Sequence, residues 1–140
     1  MDNIFISNSC EETRNIACEI AKRSSKGDIF GLIGPLGVGK TEFVRGFVTC
    51  LCGDSYIRSP TFSIVNIYES RDFLIYHFDF YRIKKKEELI EIGYYDYITD
   101  ENSIVLIEWA DLFIDALPEK IKYVRFKELS ENKREIVMEI

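Results

Sequence analysis

Apolar and polar positions along this chain follow periods that change from segment to segment, and each change marks a predicted element. Asn3–Ser7 alternates in steps of two, as a short strand does. In Ser9-Cys10-Glu11-Glu12 a hydroxyl residue is followed three positions on by a carboxylate, the pairing that opens a helix. Thr13, Ile16, Ala17, Ile20 and Ala21 then recur at i, i+3, i+4, i+7 and i+8, which predicts one inward helical face running out at the polar stretch Arg23–Gly27. Asp28–Ile33 is almost unbroken apolar sequence, as expected of a strand covered on both faces in a parallel sheet. A glycine-rich segment, Gly34–Lys40, leads into a second amphipathic helix with Phe43, Val44, Phe47, Val48 and Leu51 inward and Gly53 as its C-cap.

The second half is richer in strands. Phe62–Glu69 and Phe73–Tyr81 flank Ser70-Arg71-Asp72, a spacing that predicts a hairpin. A polar stretch with Lys84–Glu88 leads to a short helical piece at Leu89–Ile92 and then to an aromatic patch of Tyr94, Tyr95 and Tyr97. Ser103–Ile107 is a second continuous apolar strand and ends at Glu108-Trp109. Ala110–Leu117 is expected to be helical up to Pro118, and Ile121–Lys127 with Glu135–Ile140 to form a closing hairpin around Ser130–Lys133. The pattern predicts a single α/β domain over residues 1–140, its mixed sheet parallel in the centre and antiparallel at the edges.

Composition narrows the function more than the fold. With 46% hydrophobic and 14% aromatic residues the chain is neither disordered nor low in complexity. Eighteen Lys and Arg against 24 Asp and Glu leave a formal charge of −6, which excludes a broad basic surface for nucleic acid or anionic membrane. Any nucleic-acid role must therefore be local or come through a partner. Cys10, Cys18, Cys50 and Cys52 contain no Cys-x-x-Cys, and His77 is the one histidine, so neither a zinc site nor a stable disulfide is expected. Met1–Ser9 lacks the basic start and apolar core of a leader, and charge-free runs such as Ile29–Gly39 fall short of the ~18 residues of a membrane span. The expectation is a cytoplasmic protein without membrane association, its cysteines reduced.

Gly34-Pro35-Leu36-Gly37-Val38-Gly39-Lys40-Thr41 matches the phosphate-loop pattern G-x-x-x-x-G-K-[ST]. Chance gives such a match on the order of once in two hundred chains of this length, and here it lies between a buried strand and an amphipathic helix, where the mechanism requires it. Backbone N–H groups and the positive end of the helix wrap the phosphates. Lys40 would reach the β- and γ-phosphates and the Thr41 hydroxyl would coordinate Mg²⁺. Such a loop needs a carboxylate at the end of a neighbouring strand, and Glu108 supplies it, with Glu where Asp is commoner. Asp79, at the end of Ile75-Tyr76-His77-Phe78-Asp79, is the second acid; its role is open between holding a magnesium-bound water and orienting the attacking water, against a structural acid held by Lys or Arg.

Other positions keep two readings. Thr61 in Ser59-Pro60-Thr61-Phe62 is either a γ-phosphate sensor or the ordinary start of a strand. His77 shares a face with Asp79 by two-residue alternation and reads as a hydrogen-bonded strand histidine more readily than as a catalytic one. Trp109 could stack on a nucleotide or partner, or pack in the core. Arg82-Ile83-Lys84-Lys85-Lys86, the sole basic cluster, is a solvated start of a helix or a local docking patch. Asn132-Lys133-Arg134-Glu135 only superficially matches the guanine-reading N-K-x-D, having Glu in place of Asp and lying in a hairpin turn, so adenine is the expected base.

Taken together, Gly34–Thr41, Ser59-Pro60-Thr61-Phe62, His77-Phe78-Asp79-Phe80-Tyr81-Arg82, the Glu88-Leu89 to Ile92-Gly93 stretch and Ile107-Glu108-Trp109 closely resemble the TsaE family, formerly YjeE, of bacterial tRNA threonylcarbamoyladenosine biosynthesis ATPases. The resemblance implies a phosphate-loop domain with a mixed seven-stranded sheet that binds ATP or ADP with Mg²⁺. It implies the TsaB–TsaD pair as partners, with tRNA met indirectly through them, and hydrolysis that resets the complex between turnovers. It also implies Lys40 on phosphate, Thr41 and Glu108 on Mg²⁺, Thr61 and Asp79 in switch-like elements, Thr13 near the base or ribose, Trp109 beside the site and Arg134 as a C-terminal nucleotide contact. Thr13 also falls on the inward helical face and has packing as its alternative. Pro35 and Val38 depart from the polar residue and Ala common in such loops, at positions that do not require glycine. A small-molecule kinase and a nucleotide-dependent interaction module that hydrolyses nothing are the competing classes.

Overall fold

The computed structural model describes residues 3–35, 37–53 and 64–139, and its strands form one sheet. They are β1 (Ile4–Ser7), β2 (Ile29–Ile33), β3 (Val65–Glu69), β4 (Leu74–Asp79), β5 (Ser103–Glu108), β6 (Lys122–Ser130) and β7 (Lys133–Glu139), in the spatial order β1-β7-β6-β2-β5-β4-β3. β2 runs parallel to both β5 and β6, and β4 parallel to β5; the outer pairs β3/β4, β6/β7 and β1/β7 are antiparallel. The apolar runs of β2 and β5 thus sit at the centre, where both faces are covered.

Period-two alternation divides each central strand between two cores. Phe30 and Leu32 of β2, Ile104 and Leu106 of β5 and Ile75 of β4 face α1 (Cys10–Arg23) and α2 (Lys40–Cys52). Ile29, Val105, Ile107, Tyr76 and Phe78 face the other way, toward a 3₁₀ turn at Phe80–Arg82, α3 (Glu87–Glu91) and α4 (Tyr94–Ile98). The inward residues of α1 are Thr13, Ile16, Ala17, Ile20 and Ala21, the set the periodicity predicts. Its cap is half a capping box: Ser9 accepts from the Glu12 N–H at 3.0 Å, while the Glu12 carboxylate takes the N–H of Asn8 at 3.2 Å. Gly53 caps α2 as expected, donating its N–H to the Thr49 carbonyl.

Three expectations change. Ala110–Leu117 is not an α-helix: it makes 3₁₀ turns over Ala110–Ala116 with a break at Phe113, because only Ala110 and Ala116 are buried and a left-handed Trp109 and Pro118 bracket the segment. Tyr94–Ile98, read only as an aromatic patch, is a helical turn. The expectation of no stable disulfide is also corrected, since Cys18 of α1 and Cys50 of α2 are joined, with Cα atoms 5.3 Å apart. Packing brings them there. A Cβ on Gly46 would lie 2.4 Å from the Arg14 carbonyl oxygen, so only glycine at that position lets α1 and α2 approach so closely. Cys10 and Cys52 are thiols, and burial pushes the Cys52 thiol up to about 11. Among the described residues no helix is long and apolar enough to cross a membrane.

Candidate functional site

The parallel strands β2, β4 and β5 end along one edge of the sheet, where ligands of open α/β folds bind. From the end of β2 the glycine-rich loop turns into α2. Gly39 adopts φ 107, left-handed backbone that glycine takes without strain, and the Phe43 N–H makes its helical bond back to the Gly39 carbonyl. The N–H groups of the first turn therefore stay available to an anion at the positive helix end.

Lys40 opens α2 and is buried. Its Nζ donates to the carbonyls of Gly34 and, at 3.2 Å, Pro35, and lies 3.5 Å from the centroid of the Trp109 ring. Burial lowers its pKa, opposed by the nearby Glu108, Asp111 and Asp79 carboxylates. Trp109 holds φ 58 and ψ 39, a strained conformation for a bulky residue, and its ring also stacks on Tyr81 at 4.9 Å between centroids. One residue earlier, Glu108 is 5% exposed. Its Oε1 accepts from the Thr41 hydroxyl at 3.1 Å, and its Oε2 lies 2.6 Å from His77 Nε2. His77 is 2% exposed and its Nδ1 is buried without a hydrogen-bond partner among the described residues, an arrangement that costs roughly 1–3 kcal/mol.

Strand register places the second acid. Asp79 of β4 is paired with Glu108 of β5, both on the face that α2 covers. The Asp79 carboxylate accepts from the Tyr81 N–H at 3.1 Å and is 3.4 Å from Arg82 Nε. Burial raises its pKa and Glu108 adds to the rise; the Tyr81 N–H, His77 and Arg82 oppose it.

A cavity of about 290 Å³ is lined by Cys10, Gly37, Gly39, Lys40, Thr41, Glu42, Glu108, Trp109 and Arg134. Arg134, at the start of β7, donates to the Val38 carbonyl at 2.9 Å and ties the closing hairpin to the loop. Gly37, Gly39, Lys40, Thr41, Glu108, Trp109 and Arg134 are thus brought together, Gly34 and Pro35 lend carbonyls to Lys40, and the Val38 side chain turns into the core. Thr13 does not line this cavity: it is fully buried, its hydroxyl 2.7 Å from that of Ser7. Leu36 and Thr61 lie outside the described residues. Cys10 and Glu42 line the cavity unforeseen. Neither belongs to a motif; they arrive because the starts of α1 and α2 meet, where Arg14 and Glu42 form an ion pair at 2.5 Å.

A larger cavity, about 490 Å³, lies between α1 and α2 against Arg14, Cys18, Arg45, Gly46 and Cys50. None of its described lining residues is acidic, and it is away from the strand ends, so the smaller cavity is the site. Among the described residues no group of three His, Cys, Asp or Glu side chains could cage a metal. The donors present, one hydroxyl and one carboxylate 3.1 Å apart, suit Mg²⁺, which takes few protein ligands and completes its shell with phosphate oxygens and water.

A family model described as "Threonylcarbamoyl adenosine biosynthesis protein TsaE" matches residues 7–136. The "tRNA threonylcarbamoyladenosine biosynthesis protein TsaE" of Rickettsia typhi is 40% identical over 128 residues, 91% of this chain and 88% of that protein. The protein of the same name from Bacillus subtilis is 35% identical over 126 residues, 90% of this chain and 78% of that one. A crystal structure of Bacillus subtilis YdiB superposes with a TM-score of 0.81 at 30% identity, over 98% of this chain and 84% of that one.

Proposed function

The chain belongs to the TsaE family, and from that premise we propose that it binds ATP and ADP with Mg²⁺ and hydrolyses ATP as a cytoplasmic component of the machinery that builds threonylcarbamoyladenosine in tRNA. The observation that carries this reading is the convergence of the Thr41 hydroxyl and the Glu108 carboxylate beside a buried Lys40, at the N-terminus of α2. Lys40 neutralises phosphate charge in a site shielded from water, and the free N–H groups of the first helical turn take phosphate oxygens. Thr41 and Glu108 would hold Mg²⁺, which when bound supplies further charge neutralisation for the phosphates. Asp79, whose pKa is raised by burial, is the acid available to orient water.

The partners in this reading are TsaB and TsaD. A −6 chain offers tRNA no broad basic surface, so the tRNA is met through them. Arg134 reaches the cavity but is engaged on the Val38 carbonyl. An arginine finger is worth ~10³–10⁵ in rate, so turnover by the chain alone is slow and rises when TsaB–TsaD is added. Steady-state phosphate release with and without the pair tests this; equally fast hydrolysis by the isolated chain would sink it. At saturating Mg²⁺, Glu108→Gln should keep nucleotide and lose turnover by more than the ~10–100-fold that a lost supporting hydrogen bond costs a metal site. Nucleotide binding with no turnover under any of these conditions would replace the ATPase with a nucleotide-dependent interaction module.

A further inference from the structure

We propose that His77 is a positioning residue for the nucleotide site: it holds one oxygen of the Glu108 carboxylate, so that the other is presented to Thr41 and to the magnesium ion of a bound nucleotide. The inference rests on the nucleotide reading above and names a residue that reading does not use.

Glu108 divides its two oxygens between two partners. Oε2 lies 2.6 Å from His77 Nε2, and Oε1 accepts from Thr41 at 3.1 Å. A carboxylate only accepts, so Nε2 carries the proton and donates. The sheet fixes the geometry. β4 and β5 are parallel, with His77 paired to Leu106 and Asp79 to Glu108, so the imidazole reaches Glu108 diagonally along the face that α2 covers. Both side chains are almost fully buried.

His77 Nδ1 shows what the imidazole is for. Among the described residues it is buried with no partner, and the ring makes its hydrogen bond through Nε2 to Glu108. An apolar residue would fill the same space without that penalty. The ring carries that packing cost, and what it delivers is a fixed carboxylate. A glutamate held in one rotamer has already lost the freedom that metal binding would otherwise have to remove. With Oε2 committed, a single oxygen faces the cavity. Single-oxygen ligation suits small octahedral Mg²⁺, whereas Ca²⁺ readily takes a carboxylate through both oxygens. His77 therefore also biases the site toward Mg²⁺.

The test uses the full chain with His77→Leu, which removes the donor, and His77→Gln, whose amide N–H occupies the place of Nε2. Binding of ADP is titrated calorimetrically against Mg²⁺ and against Ca²⁺, with affinity in EDTA as the internal reference and thermal unfolding to confirm the fold. In His77→Leu the Mg²⁺ requirement should rise roughly 10–100-fold and the preference for Mg²⁺ over Ca²⁺ should narrow. His77→Gln should restore most of both. A Leu variant with the wild-type Mg²⁺ requirement overturns the proposal, and so does a Gln variant as impaired as the Leu variant, since packing alone would then explain the residue. If Leu fails to fold, the Gln variant decides: its Mg²⁺ requirement and its Mg²⁺ preference stay near wild type or the proposal fails. Wild-type protein that binds no ADP would instead strike the nucleotide reading itself, whereas ADP binding that ignores Mg²⁺ would keep the nucleotide and overturn this proposal.

Discussion

The two faces of the sheet are built from the same strands yet differ in what they bury. The face under α1 and α2 combines apolar side chains with buried Lys40, His77, Glu108 and Thr13. Under the short turns and α3 and α4, the opposite face is packed by aromatic rings: Phe78 and Phe80 meet Tyr94 edge-to-face at 5.2 and 5.6 Å, and Phe78 meets Tyr97 at 5.6 Å. Hydroxyls on this side end on single partners, Tyr76 on Asp100 at 2.8 Å and Tyr94 on the Ala116 carbonyl at 3.0 Å. Alternation in β4 and β5 sends odd and even residues to opposite faces, so one strand pair carries both duties. Lys40, His77 and Glu108 lie on one face, while the other is held chiefly by aromatic packing and meets the site through Trp109, whose ring lies 3.5 Å from Lys40 Nζ.

That separation breaks most visibly at Phe78. It is fully buried on the aromatic face, next in sequence to both His77 and Asp79. Phe78→Ala should cost about 3–5 kcal/mol in urea unfolding. Nucleotide affinity of the protein that remains folded should stay within about threefold. A tenfold loss of affinity at full folding would show that the faces are coupled through β4.

A smaller effect is expected on the other face. The Cys18–Cys50 bridge closes 32 residues of sequence separation across α1 and α2. Replacing both cysteines with Ser, compared under oxidising conditions, should lower unfolding free energy by about 2–4 kcal/mol. Cys50 lies in the last turn of α2, and Lys40 and Thr41 lie in the first, so the Mg²⁺–nucleotide affinity should be retained. Equal stability with and without the cysteines would mean that Gly46-mediated packing alone holds the seam.

These two positions also mark what could be read from the chain. Local periodicity sufficed for α1, whose inward residues recur at helical spacing, and for β2 and β5, whose unbroken apolar runs require cover on both faces. Lys40, Thr41 and Glu108 were legible because a phosphate loop and a carboxylate at a strand end are each written in contiguous residues. The His77–Glu108 bond was not: it depends on β4 lying beside β5 in parallel with Asp79 opposite Glu108, a register that no single segment encodes. Cys10 and Glu42 enter the cavity only through the meeting of two helix starts, and the disulfide only through the close approach at Gly46. Each of these three is a relation between elements distant in sequence.

Tyr94 gives the smallest and sharpest probe of the comparison. The sequence places it in an aromatic patch, and the structure buries it completely, with its ring against Phe78 and Phe80 and its hydroxyl on the Ala116 carbonyl. Burial pushes the hydroxyl's pKa up, which favours its protonated, donating form. Tyr94→Phe keeps the ring and its edge-to-face contacts and removes one bond to a carbonyl. If this face works by apolar packing, the loss should be only about 0.5–1.5 kcal/mol by urea unfolding, with no change in Mg²⁺–nucleotide affinity. A loss as large as that of Phe78→Ala would contradict the division. The hydroxyl would then be anchoring the 3₁₀ segment that follows Trp109, and the aromatic face would be holding the site in place through the chain that leaves it.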